Sequence, residues 1–244
     1  MKLDILAIGA HPDDVELSCS GTLLKHISKG YKIGLLDLTE GELGSRGSGS
    51  LRKEEAEDAR LKMSAECRFN LNLGDGFFTK EKESLLKIIQ IIRTIQPDIV
   101  LANAVKDRHP DHARAAELTR RACFLSGLIK VETKDLETNA TQDKWRPKAL
   151  YHYIQDEQLT PDFVVDITPF LNKKMELILT YRSQFFEADS KDYADQPKTP
   201  ISGKDFMDFM KAKGRVFGRS IGVDYAEGFN VGRIIGVEDL FDLI

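Results

Sequence analysis

Two copies of His-Pro-Asp constrain this 244-residue chain more than any other feature. The first stands in Ile8-Gly-Ala-His-Pro-Asp-Asp-Val-Glu16, the second in Asp107-Arg-His-Pro-Asp-His112. Each follows an apolar run that reads as a strand, residues 4–10 and 98–103, and each opens a segment with helical character. Pro12 and Pro110 fit a first helical turn, where the missing N–H has no intrahelical partner anyway. In an open α/β sheet, such strand ends converge on the crevice beyond the carboxyl edge. His11, Asp13, Asp14, His109, Asp111 and His112 would meet there. Two His and a carboxylate can hold a catalytic zinc with one position open, and the remaining groups suit acid–base chemistry. One copy alone reads equally well as a capped helix start, its Asp accepting N–H bonds and offsetting the helix dipole. Two copies, each with a further metal-capable residue, favour a site.

In chain order, the spacing predicts a helix over 12–29 capped by Gly30, a strand over 31–39 and a Gly- and Ser-rich connector over 40–50 carrying Glu42 and Arg46. A charged helix follows over 51–65. Arg52 in its first turn opposes the dipole, which argues for a specific partner. A short strand over 68–73 leads to Gly74-Asp-Gly76, where Asp75 suits a turn. Apolar residues Leu85, Ile88, Ile89 and Ile92 share one face of a helix over 81–95. Residues 98–103 form the strand before the second motif, and 110–126 its helix. This βαβα order argues for a Rossmann-like three-layer α/β sandwich with a mostly parallel central sheet and right-handed crossovers. Residues 128–148 read as a loop, 149–154 and 163–168 as strands, 169–186 as a helix, 187–203 as a second loop holding Tyr193, and 204–220 as a helix. The tail adds an edge strand or an oligomer contact. One domain over 1–244 accommodates all of this. No Gly-x-Gly-x-x-Gly follows the first strand, so a dinucleotide site has no support.

Composition narrows the class. The chain is 41% apolar and 30% charged with net charge −4, which gives no nucleic-acid footprint. Three Cys without a CxxC fit a reducing compartment. The N-terminus runs straight into a strand, and no apolar run approaches a membrane span. A soluble cytoplasmic enzyme with no membrane or nucleic-acid partner is expected. His26 suits a helix C-terminus and His152 a structural role in its strand.

The residues 10–16 block with His109-Pro-Asp-His112 resembles the LmbE-like (PIG-L) zinc deacetylases, which act on N-acetylglucosaminyl compounds. The likeness extends to Gly41-Glu-Leu-Gly-Ser-Arg-Gly47, Asp75-Gly-Phe-Phe78, Trp145-Arg-Pro-Lys148, Tyr151-His-Tyr-Ile154, Phe163-Val-Val-Asp-Ile-Thr168 and Gly236-Val-Glu-Asp-Leu-Phe-Asp242. These later blocks look like the members that deacetylate N-acetylglucosaminyl-malate in bacillithiol biosynthesis. Ser18-Cys-Ser20 departs from the small, Gly-rich residues usual after the first motif, a change that affects helix packing.

The resemblance implies one zinc on His11, Asp14 and His112, with Asp13 as general base; spacing alone does not separate Asp13 from Asp14. It implies His109 as an imidazolium acid oriented by Asp111, Arg52 and Asp75 as sugar-binding residues with Glu42 beside them, and a Tyr near Tyr193 that reaches the oxyanion. Arg46 is available for an aglycone carboxylate. Iron(II) fits the same ligands, and the family's trimers or hexamers imply a homo-oligomer. The competing readings are a deacetylase of another N-acetyl sugar, a thiol-conjugate amidase, a non-haem iron enzyme on the same two-His-one-carboxylate set, and a non-catalytic sugar-binding module.

Overall fold

The alternating direction of side chains along the first strand sets the layering. In β1 (Ile5–Gly9), Leu6 and Ile8 pack with α3 (Lys82–Ile95) and α4 (Pro110–Leu125). Ile5 and Ala7 face the other way, toward α1 (Asp14–Ser28) and Met63 at the end of α2 (Gly49–Met63). Successive strand side chains point to opposite faces, so a strand apolar at every position is covered on both sides. Each fully buried Leu or Ile contributes roughly 1.5–3 kcal/mol. A computed structural model describes residues 2–185 and 195–243 of the chain.

The remaining strands are β2 (Ile33–Asp37), β3 (Cys67–Asn70), β4 (Ile99–Ala102), β5 (Ala149–Tyr153), β6 (Phe163–Asp166) and β7 (Ala226–Val231). They form one seven-stranded sheet in the order β3-β2-β1-β4-β5-β7-β6. Pairing is parallel from β3 through β5, and β7 is antiparallel to both β5 and β6. The chain moves outward from β1 through β2 to β3, then returns to place β4 on the other side of β1. The β1/β4 boundary is therefore the topological switch point, where open α/β sheets place their ligands. Both His-Pro-Asp motifs emerge there.

The tail strand differs from the expected edge position. β7 lies inside the sheet because β5 and β6 run in the same direction and an antiparallel strand fits between them. Phe229 stacks on Phe163 with ring centroids 5.2 Å apart. A Cβ on Gly228 would meet the Phe217 ring at 3.0 Å, so glycine permits the close approach of α6 (Lys204–Arg219).

The helix expected over 169–186 is also shorter. A 3₁₀ turn (Thr168–Phe170) leads into α5 (Leu171–Ile178). Beyond it the chain curls through i→i−3 bonds, Thr180 to Leu177 and Tyr181 to Ile178. Glu55 then takes both the Ser183 N–H (2.8 Å) and its hydroxyl (2.7 Å), which fixes the turn. The end of that predicted helix, and Tyr193, lie outside the described residues. Among the described residues no helix is long and apolar enough to cross a membrane.

Candidate active site

The first motif leaves β1 through an unusual backbone. Asp13 is a non-glycine residue at φ 113°, just ahead of α1, and its side chain makes no helix-capping bond. Positive φ strains a residue with a Cβ. The strain turns two adjacent carboxylates in different directions. Asp14 points back across the β1/β4 boundary. Its Oδ2 accepts the His11 N–H (2.9 Å) and an Asn103 amide N–H (2.9 Å), and lies 3.6 Å from His11 Nδ1. Its Oδ1 lies 3.1 Å from His112 Nε2 and accepts a Gln155 N–H at 3.0 Å. Asp14 thus joins His11 and His112.

Asp13 turns toward Arg52, whose guanidinium donates to its Oδ2 at 2.7 Å. Arg52 also donates to the carbonyls of Pro12 (2.5 Å) and Gly41 (3.2 Å). A Cβ on Gly41 would come within 2.0 Å of that guanidinium, so the loop needs glycine where Arg52 passes. Both side chains are buried. Burial pushes the Asp13 carboxyl up to about 7 even though Arg52 pulls it down. A group that titrates near 7 can exchange a proton at neutral pH.

The second motif starts α4 conventionally. His109 is the N-cap, and its Nδ1 accepts the Asp111 N–H at 3.3 Å. That bond leaves the proton of a neutral ring on Nε2. Burial and the nearby His11 and His112 rings lower the His109 pKa, so the surroundings favour neutral imidazole over the expected imidazolium. Asp111 does not orient His109. Its carboxylate accepts from the Gly76 N–H (2.8 Å) and Arg114 (2.8 Å), and lies 3.4 Å from His11 Nε2. The helix start aims it at the residue 74–76 turn, away from the His109 ring.

His112 is oriented by a residue that sequence reasoning missed. Asp107 Oδ2 lies 2.5 Å from His112 Nδ1 and fixes Nε2 toward Asp14. Burial lowers the His112 pKa, but Asp14 and Asp107 outweigh it and raise the pKa to about 9. Burial opposes charge on His11 too, and its bonds to Asp111, Asp14 and Asp75 raise it well above the usual value. One ring nitrogen from each of His11, His109 and His112 lies within 4.8 Å of the other two, as do single donor atoms of His11, Asp75 and Asp111. Carboxylates that hold imidazole protons this firmly mark a place where a divalent cation can replace those protons. Asp107 grips the far nitrogen of His112 as carboxylates commonly grip a metal-bound histidine.

The expected sugar-binding residues are engaged within the protein. Asp75 Oδ1 is 3.0 Å from His11 Nε2, and its Oδ2 accepts the Leu43 N–H at 3.0 Å. His11 overcomes the effect of burial and holds the Asp75 carboxyl down at about 2. Glu42 is exposed and accepts the Asp75 N–H at 2.7 Å, so it supports the Asp75 turn. Arg46 donates to the Ser183 and Pro197 carbonyls, which ties the glycine-rich loop to the segment after α5. Arg52 lines the cavity as well, with its guanidinium held by the Asp13 carboxylate and two carbonyls.

His11, Asp13, Asp14, Arg52, Asp75, His109 and His112 line a cavity of about 560 Å³. The helix α6 lines it as well, through Phe206, Met210 and Lys213. Asn103 and Gln155 were also missed. They stand just beyond β4 and β5, the strand-end positions where site residues collect. His152 is satisfied by the Asn103 carbonyl (2.8 Å) and His26 by the Thr22 carbonyl (2.8 Å).

A family model described as PIG-L, GlcNAc-PI de-N-acetylase, matches residues 6–123, from β1 through both motifs to α4. Diacetylchitobiose deacetylase of Thermococcus kodakarensis is 28% identical over 193 residues, 75% of this chain and 70% of that protein. 4-Oxalmesaconate hydratase of Pseudomonas putida is 25% identical over 188 residues, 71% and 70% respectively. The crystal structure of a conserved protein from Thermus thermophilus superposes with a TM-score of 0.81 at 33% identity, covering 97% of this chain and 98% of that one. The Escherichia coli protein YaiS, described as an uncharacterized deacetylase, is 30% identical over 125 residues, 49% of this chain and 67% of that protein. With both motifs inside the matched segment and the fold shared over nearly the whole chain, the protein belongs to the PIG-L/LmbE-like deacetylase family.

Proposed function

We propose that the protein removes the acetyl group from an N-acetylated amino sugar, with N-acetylglucosaminyl-malate in bacillithiol biosynthesis as its substrate. The observation that carries this reading is the pairing of Asp14, between His11 and His112, with a separately held Asp13 lining the same cavity. His11, Asp14 and His112 are the residues that would hold one metal ion, zinc by preference for this donor set. A bound divalent metal would polarise the acetyl carbonyl and lower the pKa of a water to about 7.

The chain's own groups supply the rest. Asp13 takes a proton from the attacking water, and its pKa near 7 lets it return that proton to the leaving amine. Among the described residues Arg52 is the one hydrogen-bonding partner of that carboxylate, and it fixes the carboxylate's orientation. His109, neutral with its proton on Nε2, donates to the developing oxyanion.

The test is metal analysis of the purified protein together with acetate release from N-acetylglucosaminyl-malate and from free N-acetylglucosamine. Turnover of the conjugate with near one metal per chain supports the reading. Preference for free N-acetylglucosamine, or for an acetylated thiol conjugate, moves the substrate elsewhere in the family. No acetate from any of them, with metal bound, overturns deacetylation.

A further inference from the structure

We propose that Lys213 binds an oxyanion on the part of the substrate beyond the acetamido sugar, so that the enzyme selects acidic N-acetyl sugar conjugates over neutral glycosides. The inference rests on the deacetylase reading of the site and adds a specificity determinant to it. Phe206, Met210 and Lys213 recur at helical spacing along one face of α6. That helix lines the same cavity as the His and Asp cluster, and its contribution, Phe206, Phe209, Met210 and Lys213, is apolar apart from the Lys213 ammonium. Nζ donates to the Ile154 carbonyl at 2.9 Å. An ammonium has three donors, so one bond leaves the group underused.

The carboxylates whose fields reach Lys213 are all committed elsewhere. Asp107 pairs with His112, Asp156 with Arg108 and Glu227 with Lys174. Among the described residues none lies within ion-pair distance of Lys213. Burial, with Lys174 adding to it, pushes the Lys213 ammonium down to about 7. Lys213 is part-buried, and a partly desolvated cation without a counter-ion is unfavourable. One placed on a cavity wall gains its partner when an anion enters. A carboxylate or a phosphate on the substituent beyond the sugar would supply the missing acceptor. Arg46, which the sequence suggests for this task, is turned to the Ser183 and Pro197 carbonyls, and Arg108 is engaged by Asp156. The competing account is that Lys213 only anchors the Ile154 carbonyl.

The experiment compares three probes on metal-loaded protein: the methyl glycoside of N-acetylglucosamine, its carboxymethyl glycoside, and N-acetylglucosamine 1-phosphate. Both kcat/KM and calorimetric dissociation constants are measured for wild type, Lys213→Met and Lys213→Arg. A hydrogen bond to a charged group predicts a wild-type preference of roughly ten- to a hundredfold for one anionic probe over the methyl glycoside. The better anionic probe identifies carboxylate or phosphate as the source. Lys213→Met should bring the ratio close to one, and Lys213→Arg should restore part of it. A wild-type ratio near one, or one that survives in a folded Lys213→Met protein, overturns the proposal. If that variant does not fold, the wild-type ratio and Lys213→Arg decide. Deacetylation without anion preference sinks this inference and leaves the proposed function standing. Anion-selective binding without acetate release does the reverse.

Discussion

His11-Pro-Asp13 and His109-Pro-Asp111 contain the same three residues, yet the chain uses them in opposite ways. The first leaves a buried, fully hydrogen-bonded strand directly, with no loop to relax in, and Asp13 is forced to φ 113°. Its histidine faces Asp14, Asp75 and Asp111, and its last Asp is held by a buried arginine. The second follows a loop after β4, so its backbone relaxes into an ordinary N-cap. There the histidine caps the helix, and the Asp turns away to Gly76 and Arg114. The residues after the two tripeptides, Asp14 and His112, meet each other at 3.1 Å and belong to the ligand set proposed for the metal. Strain therefore accompanies the copy proposed to supply the proton acceptor, in keeping with strained backbone gathering at functional positions.

The largest effect should come from Asp14→Ala, set against Asp111→Ala. Asp14 is the carboxylate between His11 and His112, so its removal should strip the metal and lower kcat/KM at least about a thousandfold, because Lewis-acid stabilisation is worth several kcal/mol. Asp111→Ala should keep the metal. Metal content by elemental analysis decides; retention in Asp14→Ala with loss in Asp111→Ala would exchange the roles of the two motifs.

Metal affinity tests the support of His112. Asp107→Asn should weaken binding about 10- to 100-fold, as losing the carboxylate that orients a ligating histidine commonly does. The sign of the pH dependence follows from His112, whose folded pKa is raised to about 9. In wild type its proton competes with the metal, so affinity rises with pH up to about 9. The variant loses part of what raises that pKa, so its deficit should be widest above pH 9 and narrow toward 6.5. A chelator competition series across pH measures this, and a deficit that widens as pH falls contradicts the assignment.

Arg52→Met probes the other half of the comparison. Arg52 favours the ionised form of Asp13, which burial has brought up to about 7. Without the guanidinium the pKa rises further, typically by about one unit or more for a close pair. The acidic limb of kcat/KM should then move to higher pH, with a loss of about tenfold at pH 7 that recovers in base. A uniform loss at every pH would mean that Arg52 holds substrate directly, as the family resemblance implies.

The parallel half of this fold was legible because β1, β2 and β4 are apolar runs bounded by turns, and their helices have caps. β7 was not. Its sequence Ala226-Glu-Gly-Phe-Asn-Val231 has no clean alternation, and its interior place depends on the directions of β5 and β6. The same distinction holds at the site. His11, Asp13 and Asp14 are near neighbours in sequence, so a motif reveals them. Asn103, Gln155 and Lys213 come from the ends of β4 and β5 and from α6, and only the folded chain unites them. Arg52 was singled out as a cation placed against a helix dipole. The sequence showed that it needed a partner, and not that the partner was Asp13.

The smallest effect separates the two motifs most cleanly. Replacing Asp13 by either Gly or Ala removes the same ion pair with Arg52, so that cost cancels between the two variants. What remains is backbone. At φ 113° an alanine keeps a Cβ in a region that costs on the order of 1–3 kcal/mol, and glycine does not. Asp13→Gly should therefore be more stable than Asp13→Ala by about 1 kcal/mol or more. At Asp111, inside the first turn of α4, glycine should instead be less stable than alanine by roughly 0.5–1 kcal/mol, because it loses more conformational freedom on folding. Urea midpoints for the four metal-free variants give both differences. Opposite signs locate the strain in the first motif, and equal signs would mean that the left-handed Asp13 carries none.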